Sequence, residues 1–147
     1  MALDDEIALL RRLDFFDVFE QDQLRLMLFA ADRRVLRPHE ILFMRGDAAQ
    51  EGYLVQSGLV ALLSDDSQVV EQVRPGMLIG EYALLTPGER LTTAVAREAT
   101  SLIVLPRKLI VRLLTEYPDV AAALRQKLVS RAESFKNAIE KIGEPRL

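Results

Sequence analysis

The spacing of apolar residues changes character twice along the chain. Leu3, Ile7, Leu10 and Leu13 recur at helical intervals, and Leu24, Met27, Leu28 and Ala31 do so again, which predicts two helices within residues 3–31. Asp14 to Glu20 joins them, and its Phe15, Phe16, Val18 and Phe19 are expected to pack onto whatever follows. From Arg33 to Leu105 the apolar residues fall into short runs: Val35–Leu36, Ile41–Met44, Tyr53–Val55, Leu59–Leu63, Val69–Val73, Met77–Ile79, Thr92–Arg97 and Leu102–Leu105. Between them stand turn formers such as Pro38-His39, Gly46-Asp47, Ser57-Gly58, Asp65-Asp66, Pro75-Gly76 and Pro87-Gly88. Short strands at this interval predict an antiparallel double-sheet β-roll of the jelly-roll kind. Helical spacing returns at Leu109, Leu113 and Leu114, Tyr117-Pro118-Asp119 interrupts it, and a long helix then runs to about Ile142, where Gly143 stops it. The expected fold is mostly β with flanking helices. It has N-terminal helices over about 3–31, an eight-stranded roll over about 33–105 and a C-terminal helical pair over about 107–142. All of it forms one domain spanning 1–147.

On the long helix Ala121, Leu128, Phe135 and Ile142 recur every seven residues, with Leu124, Arg131 and Ala138 between them. Such a seam packs on its own β-domain, on a second copy, or on both. Burying three large side chains contributes about 1.5–3 kcal/mol each. Association entropy of at least about 4 kcal/mol and the seating of Arg131 oppose this. The balance lies near zero, so the expectation is a weak or ligand-dependent homodimer.

Composition narrows the class. Half of the 147 residues are hydrophobic and 28% are charged, an ordinary globular balance. There is no cysteine, which removes disulfides, thiol nucleophiles and thiolate metal sites. The apolar runs fall short of the roughly 20 residues of a membrane span, and the acidic start Met1-Ala2-Leu3-Asp4-Asp5-Glu6 does not resemble a secretory signal. A cytoplasmic protein without a membrane partner is expected. The net charge of −3 is unevenly spread: residues 106–147 hold nine bases and five acids (+4), the rest ten bases and seventeen acids (−7). The basic tail reads as a solvated helix face, and no recognition helix follows Ile142, so no specific nucleic-acid binding is expected.

Candidate chemistry sits in Leu78–Val95. The apolar run stops at Gly80-Glu81, a short helix is predicted to start at Glu81, Thr86-Pro87-Gly88 breaks it, and Arg90 follows with Thr92 and Thr93. A helix start aims free N–H groups outward and carries partial positive charge. Gly80 lets a ligand approach the backbone, and Arg90 brings a fork of donors to the same place. Together they describe a pocket for one phosphate. The Glu81 carboxylate would repel that phosphate and suits a neighbouring hydroxyl donor such as a sugar 2′-OH. Phosphate beside ribose points to a nucleotide. His39 is the sole histidine and lies in a turn, which excludes a multi-histidine metal site. No nucleophile elbow, P-loop or dinucleotide fingerprint is present, so no catalytic constellation, metal or cofactor is expected.

These residues resemble the cyclic nucleotide-binding domain of cAMP receptor proteins, kinase regulatory subunits and gated channels. The phosphate-binding cassette of that family reads roughly Phe-Gly-Glu-Leu-Ala-Leu, a short loop, then Arg-x-Ala/Thr-Thr/Ser-Val. The chain has Ile79-Gly80-Glu81-Tyr82-Ala83-Leu84-Leu85, then Arg90-Leu91-Thr92-Thr93-Ala94-Val95. His39-Glu40-Ile41-Leu42-Phe43, Gly46-Asp47 and Tyr53-Leu54-Val55-Gln56-Ser57-Gly58 echo the upstream turn signatures, so the likeness spans about residues 13–140. The resemblance implies that Glu81 accepts from the ribose 2′-OH and that Arg90 pairs with the cyclic phosphate. The amides of Ala83 and of Leu91 or Thr92 would complete the anion site, with Gly80 lining the ribose. Tyr82 replaces a usual leucine, and His39 a usual turn glycine. Leu91, where a threonine goes with cGMP preference, implies cAMP as the favoured ligand. By the same resemblance the chain is a regulatory sensor: Leu84 and Leu85 pack against the helix around Leu109–Leu114, and the 119–142 helix swings toward the base. The competing reading is a vestigial pocket in a protein–protein or dimerisation module.

Overall fold

The computed structural model describes residues 3–143, with side chains as far as Ser130. Helix α1 (Leu3–Arg11) buries Ile7 and Leu10 and carries Asp4, Asp5 and Glu6 in its first turn, where acids suit the positive helix end. A 3-10 turn over Asp14–Phe16 leads to α2 (Gln21–Ala30). A capping box opens α2, with the Gln23 side chain accepting from the Glu20 N–H at 2.8 Å. Phe15, Phe16 and Phe19 are buried as the spacing predicted, Phe15 meeting Phe16 edge-on at 4.8 Å between ring centroids.

All eight predicted runs are strands: β1 (Asp32–Leu36), β2 (Ile41–Phe43), β3 (Glu51–Ser57), β4 (Val60–Leu63), β5 (Val69–Val73), β6 (Leu78–Ile79), β7 (Thr93–Ala96) and β8 (Thr100–Pro106). They form two four-stranded sheets, ordered β1-β8-β3-β6 and β2-β7-β4-β5, with antiparallel neighbours throughout. Several strands start earlier than their apolar runs. Asp32, Arg33 and Arg34 pair with Val104, Ile103 and Leu102 through the backbone alone, so their polar side chains gave no sign of a strand.

Strands β3 and β8 are apolar on both faces because two cores meet across them. Leu54, Ile103 and Leu105 join Phe16, Leu24, Met27 and Ile110 in the core beneath the helices. Tyr53, Val55, Leu102 and Val104 face the other way, into the roll, with Leu36, Val60 and Val73.

Helix α3 (Arg107–Glu116) buries Ile110 and Leu113, and α4 spans Pro118–Gly143 with its proline in the first turn. Val120 and Leu124 are buried in the helical core, Leu128 packs at its edge, and Lys127 pairs with Asp17 in the N-terminal connector. The first half of the predicted seam therefore rests on its own domain. The side chains of Arg131, Phe135, Ala138 and Ile142 lie outside the described residues. Among the described residues no helix is long and apolar enough to cross a membrane.

Candidate nucleotide-binding site

Strand β6 ends at Ile79, and Gly80 turns the chain with φ +80°, a conformation that excludes most side chains. Glu81 is already helical (φ −54°, ψ −45°) and leads into a single 3-10 turn, Tyr82–Leu84. The predicted short helix is thus one tight turn. Its Leu84 is fully buried in the core that also holds Ile110 and Leu113, and Leu85 lines an apolar cleft with Leu114, so the turn rests on α3 as expected.

Arg90 enters from the opposite side. Its N–H donates to the Asp47 carbonyl and its own carbonyl accepts from the Gly46 N–H, both at 2.8 Å, which fixes the backbone against the Gly46-Asp47 turn. The side chain points inward and is 7% exposed. Nη2 donates to the Glu51 carbonyl at 2.8 Å, and Cζ stands 4.3 Å above the Phe43 ring and 5.5 Å from that of Tyr53. Phe43 and Tyr53 are stacked with centroids 6.2 Å apart, and the Tyr53 hydroxyl donates to Glu51 Oε1 at 2.6 Å. An arginine over aromatic faces gains about 0.5–2 kcal/mol. Burial nevertheless pulls the Arg90 pKa down, against the pull of Tyr53, Glu51 and Asp47, and burial followed by the Glu51 contact pushes the Tyr53 phenol up. Arg90 Nε is buried without a hydrogen-bond partner. Burying a cation costs free energy, and a buried donor without an acceptor adds to that cost.

Gly80 meets this guanidinium directly: a Cβ there would lie 2.7 Å from Arg90 Nη1. All seven residues singled out in the sequence, Gly80, Glu81, Tyr82, Ala83, Arg90, Leu91 and Thr92, line one cavity of about 410 Å³. They differ in depth. Ala83 and Arg90 are buried, whereas Tyr82 (77% exposed) and Leu91 (81% exposed) stand on the rim. Leu91 therefore does not fill the cavity.

The amides differ as well. The Ala83 N–H donates to the Gly80 carbonyl at 3.1 Å, so it reaches a ligand only by sharing or releasing that bond. Leu91 and Thr92 precede β7 and lie outside its ladder.

Sequence reasoning did not assign Phe43, Leu62 and Glu71 to the lining, or Tyr53 and Glu51 to the seat of Arg90. Phe43 and Tyr53 were legible as members of turn signatures. Their stacking arises from pairing across the roll, which one strand does not reveal. Leu62 and Glu71 are direct partners in the β4–β5 register, and Glu71 places an acceptor on the wall. His39 adopts φ +71° and is exposed, so the turn keeps a glycine-like geometry without glycine. No group of three metal-ligating side chains is clustered among the described residues.

Comparison with known proteins agrees with this geometry. The family model described as the cyclic nucleotide-binding domain matches residues 33–117. The chain is 36% identical over 114 residues to the cyclic AMP receptor protein of Thermus thermophilus, covering 75% of this chain and 53% of that protein. It therefore spans about half the length of that relative. Its structure resembles the N-terminal domain of a transcriptional regulator from Streptomyces coelicolor A3(2) (TM-score 0.81, 29% identity, 89% of this chain and 94% of the other). It also resembles the regulatory domain of Toxoplasma gondii PKA crystallised with cAMP (TM-score 0.71, 27% identity, 76% and 44%). With the cassette, the roll and the family match in agreement, the chain belongs to the cyclic nucleotide-binding domain family.

Proposed function

We propose that the chain is a regulatory module that binds cAMP in preference to cGMP and signals by movement of its C-terminal helices. The observation that carries this reading is the buried Arg90 guanidinium, with Nε unsatisfied and Nη1 against the bare backbone of Gly80. A cyclic phosphate that draws the side chain toward the cavity would supply the missing acceptor, and Leu91 and Thr92, whose amides would complete the anion site, line the same cavity. Glu81 lines the cavity next to Gly80, where a ribose hydroxyl would stand. The cAMP preference rests on Leu91, which offers no hydroxyl to a guanine, and on the Toxoplasma relative crystallised with cAMP. Movement of the helices is supported by Leu84 and Leu85, which join the cassette to the core formed by α3 and the start of α4. Calorimetric titration with cAMP and cGMP tests the reading, and absence of binding by the folded chain overturns it.

Glu81 gives a sharper test. 2′-Deoxy-cAMP is expected to bind wild type about tenfold worse than cAMP, the loss of one hydrogen bond to a charged group. In Glu81→Ala the two ligands should bind nearly alike. Equal binding by wild type would give Glu81 another role.

The vestigial reading has one observation in its favour: Arg90 Nη2 and the Ala83 N–H both have protein acceptors. It predicts a partner or dimer surface without nucleotide affinity. Under either reading, the far half of the seam, Phe135 and Ile142, would supply a weak or ligand-dependent homodimer. Phe135→Asp is expected to abolish it in sedimentation runs with and without cAMP, leaving cAMP affinity within a few-fold. A dimer that survives the aspartate places the interface elsewhere.

A further inference from the structure

Helix α3 begins with two cations, Arg107 and Lys108, and has no acid in its first turn. That is the unfavourable arrangement for a helix start, whose free N–H groups already carry positive charge. Arg107 has a different set of partners. Its Nη1 lies 2.8 Å from the Ala49 carbonyl, 3.2 Å from that of Ala83 and 3.3 Å from that of Thr86, and its backbone N–H donates to the Gln50 carbonyl at 2.9 Å. Ala83 and Thr86 belong to the last part of the cassette turn, where carbonyls lose their helical donors and a cation is favourable.

The same strand entrance serves both arginines. Carbonyls 49 and 50 accept from Arg107, and carbonyl 51 accepts from Arg90. A ligand anion that draws Arg90 away from the Glu51 carbonyl therefore disturbs the segment on which Arg107 is anchored. Arg107 in turn holds the cassette carbonyls and the first residue of α3 in one side chain.

We propose that Arg107 is a positioning residue that locks the 82–86 turn to the start of α3, so that closure of the turn on a ligand reaches the C-terminal helices through it. It is not placed to touch the ligand: it is absent from the lining of the nucleotide cavity and borders a separate cleft with Asp32, Gln50 and Glu51. This inference rests on the nucleotide-binding reading for its transmission step, while the lock itself stands without ligand.

The test uses the full chain with Arg107→Met, which keeps the aliphatic stem, and Arg107→Lys, which keeps a donor. Calorimetry with cAMP is combined with amide hydrogen exchange over 82–86 and 109–116. Without ligand, Arg107→Met should exchange faster over 82–86 while the strands keep wild-type rates. Its cAMP affinity should fall about tenfold, and Arg107→Lys should recover most of it. At saturating cAMP the variant should regain protection over 82–86 but lack the protection of 109–116 that wild type gains.

Wild-type exchange and affinity in Arg107→Met overturn the proposal. So does full protection of 109–116 at saturation, since transmission then bypasses Arg107. If wild type itself binds no cAMP, the functional reading falls, and the ligand-free exchange over 82–86 still decides whether the lock exists. If Arg107→Met does not fold, Arg107→Gln takes its place, and wild-type exchange over 82–86 with wild-type affinity in that variant overturns the proposal.

Discussion

Arg90→Ala is expected to lower cAMP affinity by about one to two orders of magnitude, because a charge-assisted bond is worth about 1.5–3 kcal/mol. The geometry adds a second effect that the sequence did not indicate. Arg90 is 7% exposed, covers the Phe43 ring and satisfies the Glu51 carbonyl, so alanine leaves a space among these groups and an unpaired acceptor. An orphaned buried acceptor costs about 1–3 kcal/mol, so the variant should also unfold at lower temperature. The two effects separate by measurement: a thermal melt fixes the range in which Arg90→Ala is folded, and calorimetry is done inside it. Arg90→Lys sharpens the result, since it keeps the charge but loses the planar fork that reaches the Glu51 carbonyl and a phosphate together. Affinity should fall in the lysine variant as well, with a smaller loss of stability. Unchanged cAMP affinity in folded Arg90→Ala would remove the phosphate from this position.

The strand pattern was legible because both sheets bury one face in the roll, and short apolar runs between turn formers report that burial directly. The residues added at strand edges, Asp32 to Arg34 and Glu51, are held by backbone pairing and carry no apolar signal. The cassette was legible because Gly80, Glu81 and Arg90 are distinct chemical types at a distinct spacing, and the structure brings all three to one cavity. The direction of the guanidinium was not. It depends on Phe43 and Tyr53 meeting across the roll and on a carbonyl from β3, and a linear reading cannot join these three segments. The commitment of the Ala83 amide to Gly80 was hidden for a related reason: the choice between an open helix start and a closed 3-10 turn is made by the burial of Leu84 beneath it. Arg107 looked like part of a basic helix face, and only its three carbonyl contacts distinguish it from Lys108, which is exposed.

Gly80→Ala should damage the site more than the backbone. Two glycines near the cavity share a left-handed conformation, Gly80 at φ +80° and Gly46 at φ +90°. Alanine at either position incurs about 1–2 kcal/mol of backbone strain, so both variants should lose similar stability from that source. The space around them differs. A Cβ at Gly46 meets nothing within 4 Å, whereas one at Gly80 falls 2.7 Å from Arg90 Nη1 and 3.3 Å from the Glu51 carbonyl. Arg90 has little freedom to yield, since Nη2 is bonded to that same carbonyl and its plane rests on Phe43. The guanidinium must shift away from the cassette, and the added methyl occupies the place where a phosphate and ribose would approach the turn. Gly80→Ala is therefore expected to lose at least about tenfold in cAMP affinity, equivalent to about 1.4 kcal/mol. Gly46→Ala should stay within a few-fold of wild type. Unfolding midpoints and titrations of the pair separate strain from close approach: equal affinities in the two variants would mean that bare backbone at Gly80 is not needed for the ligand, and that its glycine serves the turn alone.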